Sequence, residues 1–192
     1  ARILHGPLAS VADSLARLNA QGAGIFVTVN RTDGKGRKAE NVTAVRALFT
    51  DEDQPLRRAI ALEPSIVVQA ARGKHHYWKL EPGVPLASFK PAQKHLIYFY
   101  GSDADVNDLP RVMRLPGFFH MKHAPVPVTL AGGSGRVYSL DEVLAAHPLE
   151  EAPPAPKAAL RGIVARATGS REDALENVVR DVADSRAWTE GS

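Results

Sequence analysis

Two aspartates, Asp51 and Asp53, end an apolar stretch that otherwise has the composition of a buried strand. Side chains alternate between the two faces of a strand, so these carboxylates would share one face, about 6.5–7 Å apart along the strand. Carboxylates at that separation can hold one or two divalent cations between them. The chain has no cysteine. Oxygen ligands without thiolates favour Mg²⁺ or Mn²⁺ over zinc.

A histidine follows a Gly-Lys turn in the next predicted hairpin. Residues 65–71 and 74–80 read as two strands that flank Arg72 and Gly73. On the second strand, His76 shares a face with Trp78 and Leu80, which predicts that its side chain points inward. A buried histidine of this kind is either a structural residue of the core or part of a site, and the strand pattern alone does not decide between them.

A third concentration of charge lies in residues 103–123. Acids come first, and basic residues follow within a dozen positions; the candidate functional residues are Asp103, Asp108, Arg111, Arg114 and Lys122. Mg²⁺ sites commonly combine one or two carboxylates with substrate phosphates, and Arg and Lys are the matching phosphate contacts. The set therefore indicates phosphoryl transfer on nucleotides. Neither a Walker-type phosphate loop nor a G-x-G-x-x-G fingerprint is present in the sequence.

The hydrophobic periodicity predicts the elements that position these residues. Helices are expected at 7–21, 55–62, 88–100 and 140–146, and strands at 24–30, 41–53, 65–71 and 74–80. The loop at 31–40 carries four basic residues, Arg31, Lys35, Arg37 and Lys38. They would form either a solvated hairpin tip or a contact for the phosphates of a nucleic-acid template.

Composition sets broad limits on the class of protein. The chain has 192 residues, a formal net charge of +3 and 44% hydrophobic residues, which is ordinary for a globular protein of one domain, or of one domain with an appendage. The mild basicity permits nucleic-acid binding. Its apolar runs are shorter than a membrane span, and no signal peptide is visible, so we expect a cytoplasmic protein.

Three motifs together resemble the archaeo-eukaryotic primase superfamily, in the form seen in RepB-type primases of plasmids and phages. Phe49-Thr50-Asp51-Glu52-Asp53 is similar to its D-x-D motif, and Gly73-Lys74-His75-His76-Tyr77-Trp78 to its second motif. The run from Asp108 to Gly117, followed by His120 and Lys122, resembles the third region. The likeness spans residues 20–145, with the motifs in the order of the family.

The resemblance implies a primase-polymerase that makes or extends primers on single-stranded DNA by two-metal-ion phosphoryl transfer. Two Mg²⁺ or Mn²⁺ ions would be held by Asp51, Asp53 and Asp108, with Asp103 as the rival third acid. The expected nucleotide-binding residues are Lys74, His76, Arg111, Arg114 and Lys122, with His76 on the phosphates. Partners would be the template, NTP or dNTP, and a helicase domain or protein.

The implied fold is α+β: an RRM-like antiparallel sheet with flanking helices, joined to an N-terminal α/β unit. Residues 1–146 would form the catalytic domain and 147–160 a Pro-rich linker. Residues 161–192 would form a helical appendage.

Two other functions compete with this interpretation. A non-catalytic, RRM-like module for single-stranded nucleic acid would explain the basic loops but not Asp51 and Asp53, because acids in such a face repel phosphate unless a metal lies between. A rolling-circle initiator nuclease would need two histidines that face the same way. His75 and His76 are adjacent and would point to opposite faces of their strand.

Overall fold

A computed structural model describes residues 2–149 as a mixed fold of helices and mainly antiparallel strands. The helices are α1 (Leu8–Ala20), α2 (Leu86–Tyr100) and α3 (Leu140–Ala146), and a short 3-10 turn spans Ala39–Asn41. The strands are β1 (Phe26–Thr28), β2 (Arg31–Thr32), β3 (Val42–Ala44), β4 (Ala47–Asp51), β5 (Ile66–Gln69), β6 (Lys74–Leu80), β7 (Val112–Arg114), β8 (Phe119–His120), β9 (Val126–Pro127), β10 (Thr129–Gly132) and β11 (Val137–Tyr138).

Strand β6 is the centre of the main sheet. It pairs antiparallel with β4 on one side and with β5 on the other, and β10 pairs antiparallel with β5. The short β11 runs parallel to the end of β6. The sheet is antiparallel apart from this last pair, and the predicted hairpin of β5 and β6 is confirmed.

Both faces of the central strands are covered. Leu48 and Trp78 are fully buried, and so is Phe49 on the opposite face of β4. Helix α2 supplies Phe89, whose ring lies 6.2 Å from that of Phe49, and Tyr100, which stacks on Trp78 at 5.8 Å. Successive side chains of β6 therefore enter two different buried environments, and neither face of the strand is open to solvent.

Helix α2 also closes the outer edge of β4 with one polar side chain. The fully buried Gln93 accepts a hydrogen bond from the backbone N–H of Phe49 and donates to the carbonyl oxygen of the same residue. Its amide nitrogen also donates to the carbonyl oxygen of Val106. An edge strand leaves such main-chain groups unpaired unless something covers them, so Gln93 takes the place of a neighbouring strand.

Strand β1 pairs with β7, which comes from the second half of the chain, with Phe26 opposite Arg114. The predicted N-terminal α/β unit is therefore not self-contained, since its strand depends on residues 112–114. Asn19 at the end of α1 strengthens the link, because its side chain exchanges hydrogen bonds with the backbone of Phe119. This second layer faces the end of β4 across a cleft.

The prediction of a helix at 55–62 is wrong. The backbone N–H of Arg57 donates to the carbonyl oxygen of Tyr100, and that of Ala61 donates to the Tyr100 hydroxyl. In a helix over 55–62 the N–H of Ala61 would donate to the carbonyl of Arg57. Here it donates to α2 instead. The side chains of Leu56, Ile60 and Leu62 still pack against the core, which accounts for the helix-like spacing of apolar residues.

The other helices match their sequence signals. Ser139 caps α3 and forms a reciprocal capping box with Glu142, as the sequence predicts. No helix within residues 2–149 is long and apolar enough to span a membrane. The predicted linker from residue 150 onward and the C-terminal helical segment lie outside the described residues, and the RRM-like arrangement stays a prediction.

Replacing Gln93 with Leu should destabilise the fold. The change leaves the main-chain N–H and C=O of Phe49 and the carbonyl of Val106 buried without this partner, at a cost of about 2–4 kcal/mol. Urea unfolding followed by circular dichroism measures the loss. Lys94→Leu, on the exposed side of the same helix, is the control, and an equal effect of both changes would contradict the edge-closing role.

Candidate active site

The register between β4 and β6 brings two chemically active side chains together. Asp51 lies directly opposite His75, and Thr50 lies opposite His76. Opposed residues of an antiparallel pair point to the same face. Asp51 and His75 therefore share one face, and both line the cleft between the main sheet and the layer of β1 and β7.

The turn of the β5–β6 hairpin packs tightly on the backbone that follows β4. The N–H of Glu52 donates to the carbonyl oxygen of Lys74 at 2.9 Å. A Cβ atom on residue 73 would lie 1.8 Å from the carbonyl oxygen of Glu52, so only glycine fits there. Strand β4 ends at Asp51. Asp53, two residues later, lines the same cleft.

Asp51 is an ionisable group in an unfavourable environment. Its Oδ1 atom is buried without a hydrogen-bond partner. Burial, together with the negative charges of Asp53 and Asp103 and against the opposing effect of Arg111 and Arg72, raises the pKa of the Asp51 carboxyl to about 6. A carboxylate in this setting is well suited to a cation, because a cation would satisfy its free oxygen and offset its neighbours' charge.

His75 is a neutral neighbour of that carboxylate. Its Nε2 atom lies 3.7 Å from Oδ1 of Asp51, but burial lowers the pKa of His75 to about 4. The contact is therefore not an ion pair at neutral pH. The Tyr77 hydroxyl lies 3.4 Å from His75 Nδ1, and burial raises the pKa of Tyr77. With the tyrosine proton directed to Nδ1, the histidine would carry its own proton on Nε2, toward Asp51.

His76 occupies the other face of β6. Its side chain is buried, as the sequence predicts, and its Nε2 lies 3.7 Å from Oε2 of Glu52. Burial lowers the pKa of His76. Its Nδ1 atom and the hydroxyl of the opposing Thr50 are buried without partners. His76 is not among the residues that line the cleft, so the structure places His75, and not His76, beside the acid pair.

Positive charge and one aromatic ring complete the cleft. Arg72 forms a salt bridge with Asp53 at 3.1 Å, on the exposed rim. Arg114 stacks over the ring of Phe26, with 4.4 Å from the guanidinium carbon to the ring centroid. His120 lies nearby, and burial lowers its pKa, with the positive charge of Arg114 acting in the same direction. Acidic and basic side chains therefore share one concave surface.

The two rival third acids have different surroundings. Asp108 forms a close salt bridge with Arg111, and the guanidinium of Arg111 also donates to the carbonyl oxygen of Asp105. The charge of Asp103, in contrast, acts on Asp51. The part of the chain that the structure describes holds no ready-made group of three or more His, Asp or Glu side chains that could bind a metal ion. Neither Asp103 nor Asp108 lines the cleft, so Asp51 and Asp53 form no ligand triad with either of them here.

The other predicted site residues lie outside the cleft lining. Lys74 and Lys122 are exposed. The four basic residues of the 31–40 loop are also exposed, on the β2–β3 ribbon and the turn that joins its strands; they are Arg31, Lys35, Arg37 and Lys38. Of the predicted nucleotide-binding side chains, Arg114 alone lines the cleft.

The sequence analysis assigns no role to four charged, aromatic or histidine side chains that line the cleft, although two of them belong to the motifs that it quotes: Phe26, Arg72, His75 and His120. Arg72 belongs to the turn beside Gly73, and its position follows once β4 is known to pair with β6. The choice of His75 depends on the same pairing, because only the register shows which histidine faces Asp51. Nothing in the local sequence of β1 marks Phe26.

Asp51→Asn should stabilise the metal-free protein at neutral pH. The pKa of Asp51 is raised from 3.8 to about 6 in the fold, so folding favours the protonated form, and the ionised form is penalised above that pH. We expect a gain of about 1–2 kcal/mol near pH 7.5, after an allowance for solvent screening.

The gain should vanish near pH 4, where the wild-type carboxyl binds its proton in the folded state. Denaturant unfolding in EDTA at pH 7.5 and at pH 4 measures the difference in unfolding free energy between Asp51→Asn and the wild type. The exposed Asp13→Asn is the control. An Asp51→Asn protein that is less stable than wild type at neutral pH would contradict the assigned environment.

Comparison with known proteins places this fold and cleft in a family. Residues 32–136 match the family described as the RepB DNA-primase N-terminal domain. A replication protein of Clostridium perfringens is 25% identical over 151 residues, which cover 67% of this chain and 37% of that protein. The chain therefore spans well under half the length of that relative.

Solved structures give the same result for the fold. The AEP domain of the primase-polymerase of cyanophage S-2L aligns with a TM-score of 0.60 at 25% identity, over 76% of this chain and 78% of that one. The primase RepB′ aligns with a TM-score of 0.54 at 17% identity, over 93% and 56% of the two chains. The catalytic domain of RepB′ in complex with initiator DNA gives 0.52 at 17%, over 84% and 79%.

The resemblance drawn from the three sequence motifs is thereby confirmed. The family match includes Asp51, His75 and Arg114, and it covers more than half of the 192 residues. This chain belongs to the family of RepB DNA-primase N-terminal domains.

Proposed function

We propose that this chain is the catalytic domain of a DNA primase-polymerase that joins nucleotides on a single-stranded DNA template. The observation that carries the proposal is the cleft itself, where Asp51 and Asp53 lie with Arg72 and Arg114. Carboxylates for a divalent metal beside arginines for phosphate are the groups that phosphoryl transfer requires. Phage or plasmid replication is the role that we infer for it.

The residues fit a divalent metal. Asp51 presents a buried carboxylate oxygen without a partner, and neighbouring acids raise its pKa. We propose that Asp51 and Asp53 hold Mg²⁺ or Mn²⁺. Asp103 is preferred to Asp108 as the third acid because its charge acts on Asp51, whereas Asp108 pairs closely with Arg111; for this role Asp103 would have to come closer to the cleft, whose lining includes neither acid. When bound, such ions supply Lewis-acid activation of the attacking hydroxyl and charge neutralisation on the leaving pyrophosphate.

The chain's own cations would bind the triphosphate. Arg114 offers the planar edge of its guanidinium for bidentate hydrogen bonds, and Arg72 can turn from Asp53 toward a phosphate because that salt bridge lies on the exposed rim. His75 would donate from Nε2 as a neutral group, because its proton is retained on that atom while Tyr77 hydrogen-bonds Nδ1. The lowered pKa of His75 means that this hydrogen bond is made by the neutral imidazole at neutral pH.

The template would lie across the basic ribbon of β2 and β3. Arg31, Lys35, Arg37 and Lys38 are exposed there, and such residues contribute a salt-dependent attraction to the DNA backbone. A solved structure of the RepB′ catalytic domain holds initiator DNA, which supports DNA as the partner. NTP or dNTP as the second substrate and a helicase as a further partner remain part of the proposal.

A primer-synthesis assay tests the proposal. Single-stranded DNA, labelled NTP and dNTP, and Mg²⁺ or Mn²⁺ are incubated with the wild-type chain and with Asp51→Ala. We expect short labelled products from the wild type alone, with activity reduced at least about 100-fold in the variant. Omission of the metal should also abolish the products. Template binding without incorporation under either metal would overturn the proposal in favour of a non-catalytic binding module.

Two matched pairs of variants test the assignment of residues within the cleft. His75→Ala should reduce nucleotide incorporation at least about tenfold through loss of a substrate hydrogen bond, whereas His76→Phe should alter stability more than turnover. Asp103→Asn should likewise reduce incorporation more than Asp108→Asn does. Steady-state rates, together with unfolding curves for each variant, distinguish the two effects. A reversed order in either pair would return the role to His76 or to Asp108.

A further inference from the structure

One cleft residue has no part in the mechanism above. Phe26 on β1 is 47% exposed although it lines the cleft. Its ring stands opposite the strand that carries Arg114, across the β1–β7 ladder. A large aromatic side chain left open to solvent inside a polar site indicates a surface that a ligand covers.

The ring is held in place from one side. The guanidinium of Arg114 covers one face at 4.4 Å. A Cβ atom on residue 24 would lie 2.7 Å from Nη1 of Arg114 and 3.0 Å from Cε2 of Phe26, so Gly24 provides the space in which the two side chains stack. The stacking of Arg114 on Phe26 therefore depends on Gly24, and it covers only one face of the ring.

Arg114 connects the ring to the acid pair. The charge of Asp53 raises the pKa of Arg114 against the larger, lowering effect of burial. Stacking on Phe26 uses the face of the guanidinium and leaves its N–H edge for hydrogen bonds to phosphate. A triphosphate held by this edge near Asp53 would place its nucleoside beside Phe26.

The size of the cleft agrees with this placement. Its volume is about 180 Å³, whereas sites that enclose a whole ligand commonly measure about 300–1,000 Å³. The enclosed part can take the phosphates, and the rest of a nucleotide must extend past the rim, where the ring is exposed.

We propose that Phe26, backed by Arg114, is the stacking platform for the nucleobase of the nucleoside triphosphate bound in the cleft. The inference rests on the proposed function. Stacking of this kind tolerates every base, because each has a π-face. It gives a templated enzyme nucleotide affinity without base selection, which is left to the template.

Paired binding measurements test the platform. The affinities of dATP and of inorganic tripolyphosphate are measured by calorimetry in Mg²⁺ for the wild type and for Phe26→Ala, Phe26→Leu and Phe26→Trp. Phe26→Ala and Phe26→Leu should weaken dATP binding about 5- to 100-fold and leave tripolyphosphate binding within about twofold of the wild type. Phe26→Trp should retain dATP affinity. Phe119, 49% exposed and outside the cleft lining, supplies the control Phe119→Ala, which should change neither.

Other outcomes would overturn the platform. If the wild type binds dATP and Phe26→Ala binds it equally well, the ring has no stacking role, while the proposed function stands. If tripolyphosphate binding falls in parallel, Phe26 acts only as a support for Arg114. The affinity of a single-stranded DNA oligonucleotide is measured for the same variants, and if Phe26→Ala weakens this affinity alone, the ring contacts the template instead. A wild type that binds neither dATP nor tripolyphosphate would overturn the proposed function together with the platform.

Discussion

The buried amide of Gln93 is the interaction on which the geometry of the cleft depends. It exchanges two hydrogen bonds with the backbone of Phe49, two residues before Asp51, and donates a third to the carbonyl of Val106. The segment that carries Asp103 and the strand that carries Asp51 are thereby tied to the same helix. Because the amide is fully buried, these bonds are shielded from competing water, and both acid-bearing segments keep one relative position.

The location of the Asp51 carboxyl in the cleft lowers the stability of the fold. A carboxyl whose pKa is raised to about 6 by burial and by neighbouring acids opposes folding whenever it is ionised. Nothing in the hydrophobic pattern of β4 calls for an acid at this point, and its Oδ1 finds no hydrogen-bond partner among the described residues. Such a local conflict between stability and residue type is characteristic of functional sites, and it singles out Asp51 more sharply than the exposed, salt-bridged Asp53.

Local sequence predicted the elements and the acid pair, and it failed where a contact between distant segments decides the outcome. The β5–β6 hairpin, α1, α2 and α3 follow from periodicity and turn signals. The sequence favours His76 because it shares a face with Trp78, but both faces of β6 are buried, so that pattern does not decide between the two histidines. The register of β4 against β6 places His75 opposite Asp51. In the same way, the backbone contacts of residues 57 and 61 with Tyr100 replaced the expected helix.

Gly73 allows the hairpin turn to pack against the backbone that carries the acid pair. The absence of a side chain lets the turn approach the Glu52 carbonyl more closely than any Cβ allows. Glu52 lies near His76 on one face of the sheet. Asp51 and Asp53 line the cleft on the other face. Arg72, next to this glycine, consequently reaches Asp53. A larger residue at position 73 would have to displace the backbone that sets the spacing of the two carboxylates. The Gly-Lys turn therefore helps to position the acid pair although it carries no acid itself.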